Sequence, residues 1–261
     1  MPPVTRANMI MIMFITAVDL TKLIDAGETY SLDWGRTVKG LELWRPLTSL
    51  AYLGPLSMGW LTNVYFLTQH GTRLEMVSGT AEQLVFLLVV GSLLLALGPL
   101  IGMPFMATSM VAAHTHVSAR MEPLGVVQFQ FLRIPLWTLP FAQMGAAVLQ
   151  EEGNVLAAIP HLVGIVCGHV YHFFTVVHPL MGAKRRVGAP AWMKRRLDGD
   201  NPNFMEAPEE PAAPKGRKIG AGKRATSKSK GSSNGGSSKG GGEKGKNKQI
   251  PEFPTADGSC S

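Results

Sequence analysis

Two cysteines among 261 residues, Cys167 inside an apolar segment and Cys260 one residue from the end, are too different in environment to be joined. No metal-ligand spacing surrounds either, so neither a disulfide framework nor thiol redox chemistry is indicated. Cys260 also lacks the spacing of a prenylation box. Basic residues are scarce before Met181, with 8 Lys and Arg against 10 Asp and Glu, whereas the residues after it carry 17 against 8. The formal net charge of +7 therefore belongs to the tail. From Pro202 onward that tail is Gly, Ser, Lys and Pro with almost no apolar content, so it cannot bury enough surface to offset its backbone entropy and is expected to be disordered. No aromatic residues interleave with its lysines for base stacking, so no nucleic-acid partner is expected. The opening Met1-Pro2-Pro3-Val4-Thr5-Arg6 lacks the basic, apolar and cleavage regions of a signal peptide, so the first apolar segment is expected to be retained as an anchor.

What the chain has instead is apolar runs, over about 7–24, 46–68, 83–98, 99–118, 126–149 and 155–177. A spanning helix needs about 20 mostly apolar residues, and six runs predict an all-α membrane protein with six transmembrane helices in residues 1–181, followed by a basic, disordered tail over 182–261. The fourth helix is expected to start at a Gly98-Pro99 break. Six spans put both termini on one side. Arg6, Arg73, Arg120 and Lys184-Arg185-Arg186 gather there, which by the positive-inside rule is the cytosol. Glu151 and Glu152 fall on the other side, although the long first loop mixes Arg36, Lys39 and Arg45 with acids.

Few polar residues interrupt these runs. His161 stands one turn before Gly164, with Gly168 another turn on, and Asn63 lies twelve residues before Glu75. Both spacings resemble the last and second helices of rhomboid intramembrane proteases, where the histidine is the base and the asparagine helps bind the oxyanion. Serine hydrolysis needs a raised hydroxyl, a base within hydrogen-bond reach and oxyanion donors. No serine flanked by glycines lies in any apolar run. The fourth run reads Gly102-Met103-Pro104-Phe105-Met106-Ala107-Thr108-Ser109, and position 59, where rhomboids place a second oxyanion histidine, is glycine. Ser109 is expected to be buried, its hydroxyl bonded to the carbonyl one turn back. His114, His116 and His178 are expected at helix ends as interface residues, with spacing unsuited to a metal.

A second resemblance is more specific. Pro2-Pro3-Val4-Thr5-Arg6-Ala7, Trp44-Arg45-Pro46-Leu47-Thr48, Leu74-Glu75, Gly102-Met103-Pro104, Pro140 with Gly145, and Gly164-x-x-x-Gly168-His169-x-Tyr171 resemble the Derlins, in Derlin order across nearly all of the first 180 residues. Derlins are catalytically dead members of the rhomboid superfamily. The resemblance implies a rhomboid-like fold, no enzyme activity and no cofactor, and it gives Trp44, Arg45, Gly164 and Gly168 the part of family-signature residues. By spacing alone the two glycines are explained by close helix packing, and Trp44-Arg45 by interfacial anchoring. The chain departs from the family in keeping His161 and in lacking a Phe-x-Gly-x-Gly type box in its tail, so recruitment of the cytosolic AAA unfoldase would be indirect.

The function so implied is to help misfolded proteins leave the endoplasmic reticulum for degradation, through a locally thinned bilayer and a polar lateral cleft. The implied partners are misfolded clients, a ubiquitin-ligase membrane complex, the unfoldase, the lipid bilayer and further copies or relatives in an oligomer. Asn63, Gln143, His161 and His169 are the candidate cleft-lining residues, because intramembrane polar groups face a cavity or a partner. The competing expectation for each, and the preferred one for Gln143, is a satisfied interhelical hydrogen bond. Three rival functions remain: a Derlin-like preprotein translocon component in a complex-plastid (periplastid) membrane, an active intramembrane serine protease using Ser109 and His161, and a passive adaptor that tethers partners.

Overall fold

A computed structural model describes residues 1–199 apart from Pro123, Gln130, Phe131, Ala183 and Arg186. The disordered stretch expected from Pro202 onward lies outside the described residues. Six of the described helices are twelve residues or longer: α1 (Pro3–Leu20), α5 (Met58–Ser78), α6 (Thr80–Ile101), α7 (Ala107–Met121), α8 (Leu139–Gln150) and α9 (Ile159–His172). The first loop carries three short helices, α2 (Ala26–Tyr30), α3 (Trp34–Lys39) and α4 (Arg45–Ala51). After α9 a π-helical turn (Phe173–Val177) leads into α10 (His178–Leu180), and α11 (Ala191–Leu197) follows.

Local chemistry explains most of the ends. Asp25, Asp33 and Ser57 cap α2, α3 and α5, each accepting hydrogen bonds from free backbone N–H groups of the first turn. α1 begins at Pro2-Pro3 and has no side-chain cap of its own. The buried carboxylate of Glu75 supplies one from α5, accepting from the Val4 N–H (2.9 Å), the Thr5 N–H (2.7 Å) and the Thr5 hydroxyl (2.7 Å). An anion is favoured there, because the first-turn N–H groups and the helix dipole both point at it. α5 and α6 are separated by Gly79 alone, at φ 93°, a conformation open mainly to glycine.

α7 is the axis of the bundle. Every residue from Ser109 to Ala119 is buried, with α5, α6, α8 and α9 all packed around it. Large apolar side chains on the outer helices, such as Leu61, Leu88, Leu100 and Leu149, are exposed. An apolar exterior around a polar-containing core is how a protein meets lipid. At one end of the bundle the N-terminus of α1, the α5–α6 turn, the end of α7 and the chain after α10 come together through Glu75, the Arg73–Glu122 ion pair and the Arg185–Glu82 ion pair (3.0 Å).

The membrane helices differ from the sequence expectation in several places. Among the described residues three helical stretches are both long and apolar enough to cross a bilayer: Pro3–Leu20, Thr80–Ile101 and Val155–Leu180. The 46–68 run is broken between Ala51 and Met58 and continues to Ser78. Pro99 does not end the third helix. It lies inside α6, and the Leu95 carbonyl that a proline leaves without its usual N–H donor accepts from the Trp34 indole N–H instead (3.3 Å). The break falls at Gly102, at φ 76°, and α7 starts only at Ala107. The 126–149 run opens with an antiparallel hairpin, β1 (Val126–Phe129) against β2 (Leu132–Pro135), in register Val126 to Pro135, so the fold is mostly helical without being wholly so. Of the expected 182–261 tail, the part up to Gly199 contains α11, docked on the bundle through Asp198.

Glu75→Ala is expected to destabilise the fold by on the order of 3 kcal/mol, since it orphans three buried donors that now share a carboxylate. Thermal unfolding of the full-length protein in lipid nanodiscs would show it, with exposed Glu152→Ala as the neutral control. A melting temperature unchanged by Glu75→Ala would contradict the capping account.

Candidate functional site

Among the described residues the most extensive helix contact is between α7 and α9, and glycine permits their close approach. A Cβ at position 164 would collide with the Ser109 carbonyl oxygen and lie 2.8 Å from Ala112 Cβ; at position 168 it would lie 3.1 Å from the Ala113 carbonyl oxygen. Both glycines therefore face one backbone stripe of α7, one turn apart, as a small-xxx-small face allows. The seam also decides where Ser109 lies. It is 0% exposed and its hydroxyl makes no hydrogen bond, either to His161 or to the carbonyl one turn back. Burial was expected of it; the carbonyl bond was not borne out.

One residue earlier, Thr108 is the α7 side chain that reaches a cleft of about 390 Å³. Asn63 from α5, Gln143 from α8 and His161 from α9 line this space, with Ser57, Thr62, Gln150 and Glu151 toward it as well. Trp60, Phe66 and Phe129 supply its aromatic walls. Trp60 is held by its indole N–H donating to Thr16 Oγ1 (3.0 Å). Gln143 and His161 are buried, and the Gln143 amide oxygen and nitrogen are without hydrogen-bond partners. The satisfied interhelical bond expected for Gln143 is therefore absent. Buried polar groups left unpaired at a cleft are receptive to a polar guest, since bonding one recovers their desolvation cost. Gly59 also lines the cleft, where a Cβ would lie 3.3 Å from Gln150 Oε1.

The fourth cleft candidate belongs elsewhere. His169 is exposed, and its ring packs edge-on to His116 at a centroid distance of 5.8 Å. Eight residues past His161 on a helix is about 12 Å along the axis, which carries it away from the cleft. Nor do His114 and His116 sit at a helix end: both are buried in α7, His114 with Nδ1–H donating to the Met110 carbonyl (2.8 Å) and Nε2 3.0 Å from the Gln83 amide nitrogen. Among the described residues no cluster of three or more His, Cys, Asp or Glu is placed to hold a metal.

Trp44 and Arg45 divide the labour of their pair. Trp44 is 50% exposed, as an interfacial anchor is. Arg45 does not snorkel; it is 3% exposed. Its Nη1 donates to the carbonyls of Glu28 (2.6 Å) and Ser31 (3.0 Å) at the end of α2, and Nε pairs with Glu42. A guanidinium suits this place, because its fixed fork satisfies several acceptors at once and its charge complements a helix C-terminus. Thr48 Oγ1 lies 3.1 Å from the Trp44 carbonyl and 3.5 Å from that of Tyr30. The Tyr30 ring packs at a tilt against Tyr52, and Tyr52 against Phe105. Burial, then the Asp19 carboxylate, raises the Tyr30 hydroxyl above its ordinary range, so it stays protonated. Backbone bonds from Leu32 to the Pro104 carbonyl (2.9 Å) and from Met106 to the Ser49 carbonyl (2.8 Å) fasten this loop to the α6–α7 break.

Thr108, Trp60 and the capping role of Glu75 were not singled out by sequence reasoning. Thr108 adjoins Ser109, and only the direction in which α7 presents each side chain distinguishes them.

A family profile described as the Der1-like family matches residues 1–190. Over 201 residues the chain is 27% identical to Derlin-1.1 of Zea mays, covering 75% of this chain and 81% of that protein. Against Derlin-1 of Arabidopsis thaliana it is 27% identical over 203 residues, 75% of this chain and 74% of the other. Derlin-2.2 of Arabidopsis thaliana is 25% identical over 232 residues, 80% and 90% of the two chains.

Gly164→Ala is expected to cost more stability than Gly168→Ala, by at least about 1–2 kcal/mol, because overpacking against fixed backbone is less easily relieved. Comparative thermal unfolding checks the order, and equal effects would contradict the seam. Arg45→Lys is expected to loosen the first loop nearly as much as Arg45→Ala, read as faster hydrogen exchange over residues 26–52. Protection equal to wild type in Arg45→Lys would show that charge alone suffices.

Proposed function

The chain belongs to the Der1-like family, and from that premise we propose that it is a non-catalytic, multi-pass membrane protein with the Derlin-type role in endoplasmic-reticulum-associated degradation, helping misfolded proteins pass from the endoplasmic reticulum to the cytosol. The observation that carries this reading is the cleft between α5, α7, α8 and α9, with the unpaired amide of Gln143 beside Asn63, Thr108 and His161. A client segment crossing an apolar bilayer must leave water, at several kcal/mol for each unsatisfied backbone group. A cleft offering amide, hydroxyl and imidazole partners lowers that cost without bond chemistry.

Helix length supports a thinned bilayer around it. α7 and α8 span 15 and 12 residues, or about 22 and 18 Å at 1.5 Å per residue, against a hydrocarbon core of about 30 Å. Helices this short favour local thinning of the lipid or shelter behind longer neighbours. The gathering of the α1 N-terminus, the α5–α6 turn and the end of α7 at one end of the bundle supports six crossings with both termini on the cytosolic side, in line with Arg6, Arg73, Arg120 and Lys184. Ser109, turned into the α7–α9 seam without a bond to His161, speaks against proteolysis. Trp44 and Arg45 act through the first loop, and Gly164 and Gly168 through the seam. A ubiquitin-ligase membrane complex and an indirectly recruited AAA unfoldase would take up the emerging client.

In cells depleted of this protein, pulse-chase of a misfolded lumenal protein is expected to show several-fold slower clearance, restored by wild-type protein and by Ser109→Ala. Asn63→Leu/Gln143→Leu should fold and insert yet restore little. Full rescue by the double variant, or labelling of Ser109 by a serine-reactive probe with loss of rescue in Ser109→Ala, would overturn the reading. A stalled plastid preprotein in place of a misfolded client would assign the protein to import instead.

A further inference from the structure

Beyond α10 the chain turns back onto the bundle. The N-cap position of α6 is Gly79, which has no side chain to offer, and Asp198 stands in for it. Its Oδ1 accepts from the N–H groups of Thr80 (2.7 Å) and Ala81 (3.3 Å). Glu82, one turn into α6 and nearly buried, pairs with Lys194 Nζ (2.7 Å) and Arg185 Nη2 (3.0 Å). Lys194 and Asp198, four residues apart, thus share the face of α11 that grips α6.

That grip fixes what the other face presents. Trp192 and Arg196 fall on the opposite side by helical spacing, with Arg195 on the flank between Trp192 and Asp198, and all three are exposed, Trp192 at 68%. Between positions 182 and 199 the one acidic residue is Asp198, already committed to α6, so the charge of this face is uncompensated. The face lies beside the first turn of α6, one of the three helices suited to cross a bilayer, and eleven residues past Leu180, the end of another. This is the level at which an apolar helix meets headgroups. Tryptophan partitions there by its amphipathic ring, and guanidinium groups bind phosphate through paired N–H donors.

We propose that Trp192, Arg195 and Arg196 form a binding surface for the headgroups of anionic phospholipids, held at the membrane interface by the Asp198, Lys194 and Arg185 contacts to α6. A juxtamembrane basic cluster next to an anionic leaflet gains about 1 kcal/mol per basic residue. The clasp adds position, because it fixes the face against the first turn of α6.

The test places a photoreactive benzoyl-phenylalanine at position 192 of the full-length protein, in vesicles of phosphatidylcholine and phosphatidylserine in equal amounts, with one lipid or the other radiolabelled. Adducts to phosphatidylserine are expected to exceed those to phosphatidylcholine several-fold. That preference should vanish in Arg195→Glu/Arg196→Glu, while reversal of Lys228 and Lys230 in the tail leaves it intact. Asp198→Ala should lower labelling of both lipids. The two arginines are exposed, so unchanged thermal unfolding of the double variant shows that it still folds. Equal labelling of the two lipids, a preference that survives the double charge reversal, or adducts to protein in place of lipid would overturn the proposal, and undiminished labelling in Asp198→Ala would overturn the clasp.

Discussion

Backbone contact between α7 and α9 is the constraint on which the rest of this structure depends. With no side chain at 164 or 168, α9 rests directly on the Ser109 and Ala113 carbonyls. Such an approach gathers dispersion and weak polar contacts that a larger residue would keep apart, in a setting where lipid removes the hydrophobic drive for helices to associate. The same contact sets the rotation of both helices. Ser109 is directed into the seam, Thr108 and His161 are left facing the cleft, and His169, farther along α9, emerges on the outside against His116.

Around that axis the bundle is closed by carboxylates acting across long stretches of chain. Glu75 caps α1, and Asp198 caps α6. In each case a helix whose own cap residue, Pro2 or Gly79, has no polar side chain receives an acceptor from another element. Arg45 does the complementary service for the carbonyls at the end of α2. Charges buried this way are stable only when fully bonded, so each one specifies a single arrangement of the elements it joins. Polar side chains are less completely bonded: Ser109 in the seam and His116 in α7 keep unpaired atoms, and so does the Gln143 amide, which alone of these three lines the cleft.

Much of this was legible as spacing. The seven-residue interval from His161 to Gly168 places the histidine and both glycines on neighbouring turns of one helix, and only the partner helix remained to be found. Asn63 and Gln143 were legible as polar interruptions of apolar runs. What escaped was set by tertiary contacts. Pro99 reads locally as a break, yet the carbonyl it frees is met by Trp34, sixty-one residues away in the chain. The 126–149 run has the composition of a span, but short apolar stretches do not distinguish strand from helix, and Val126, Val127 and Ile134 are β-branched residues suited to the hairpin they form. His114 and His116 look like end residues until α5, α6, α8 and α9 enclose α7. No local signal ties Asp198 to Thr80.

The central claim is that the polar space between α5, α7, α8 and α9 receives unfolded client without cutting it. Site-specific photocrosslinking from positions 63 and 143, with position 169 as the outward-facing reference, during stalled degradation of a misfolded lumenal protein addresses it most directly. Full-length client is predicted in the adducts from 63 and 143 and little or none from 169. Equal capture at all three positions, or a shortened client in the adducts, would contradict the account.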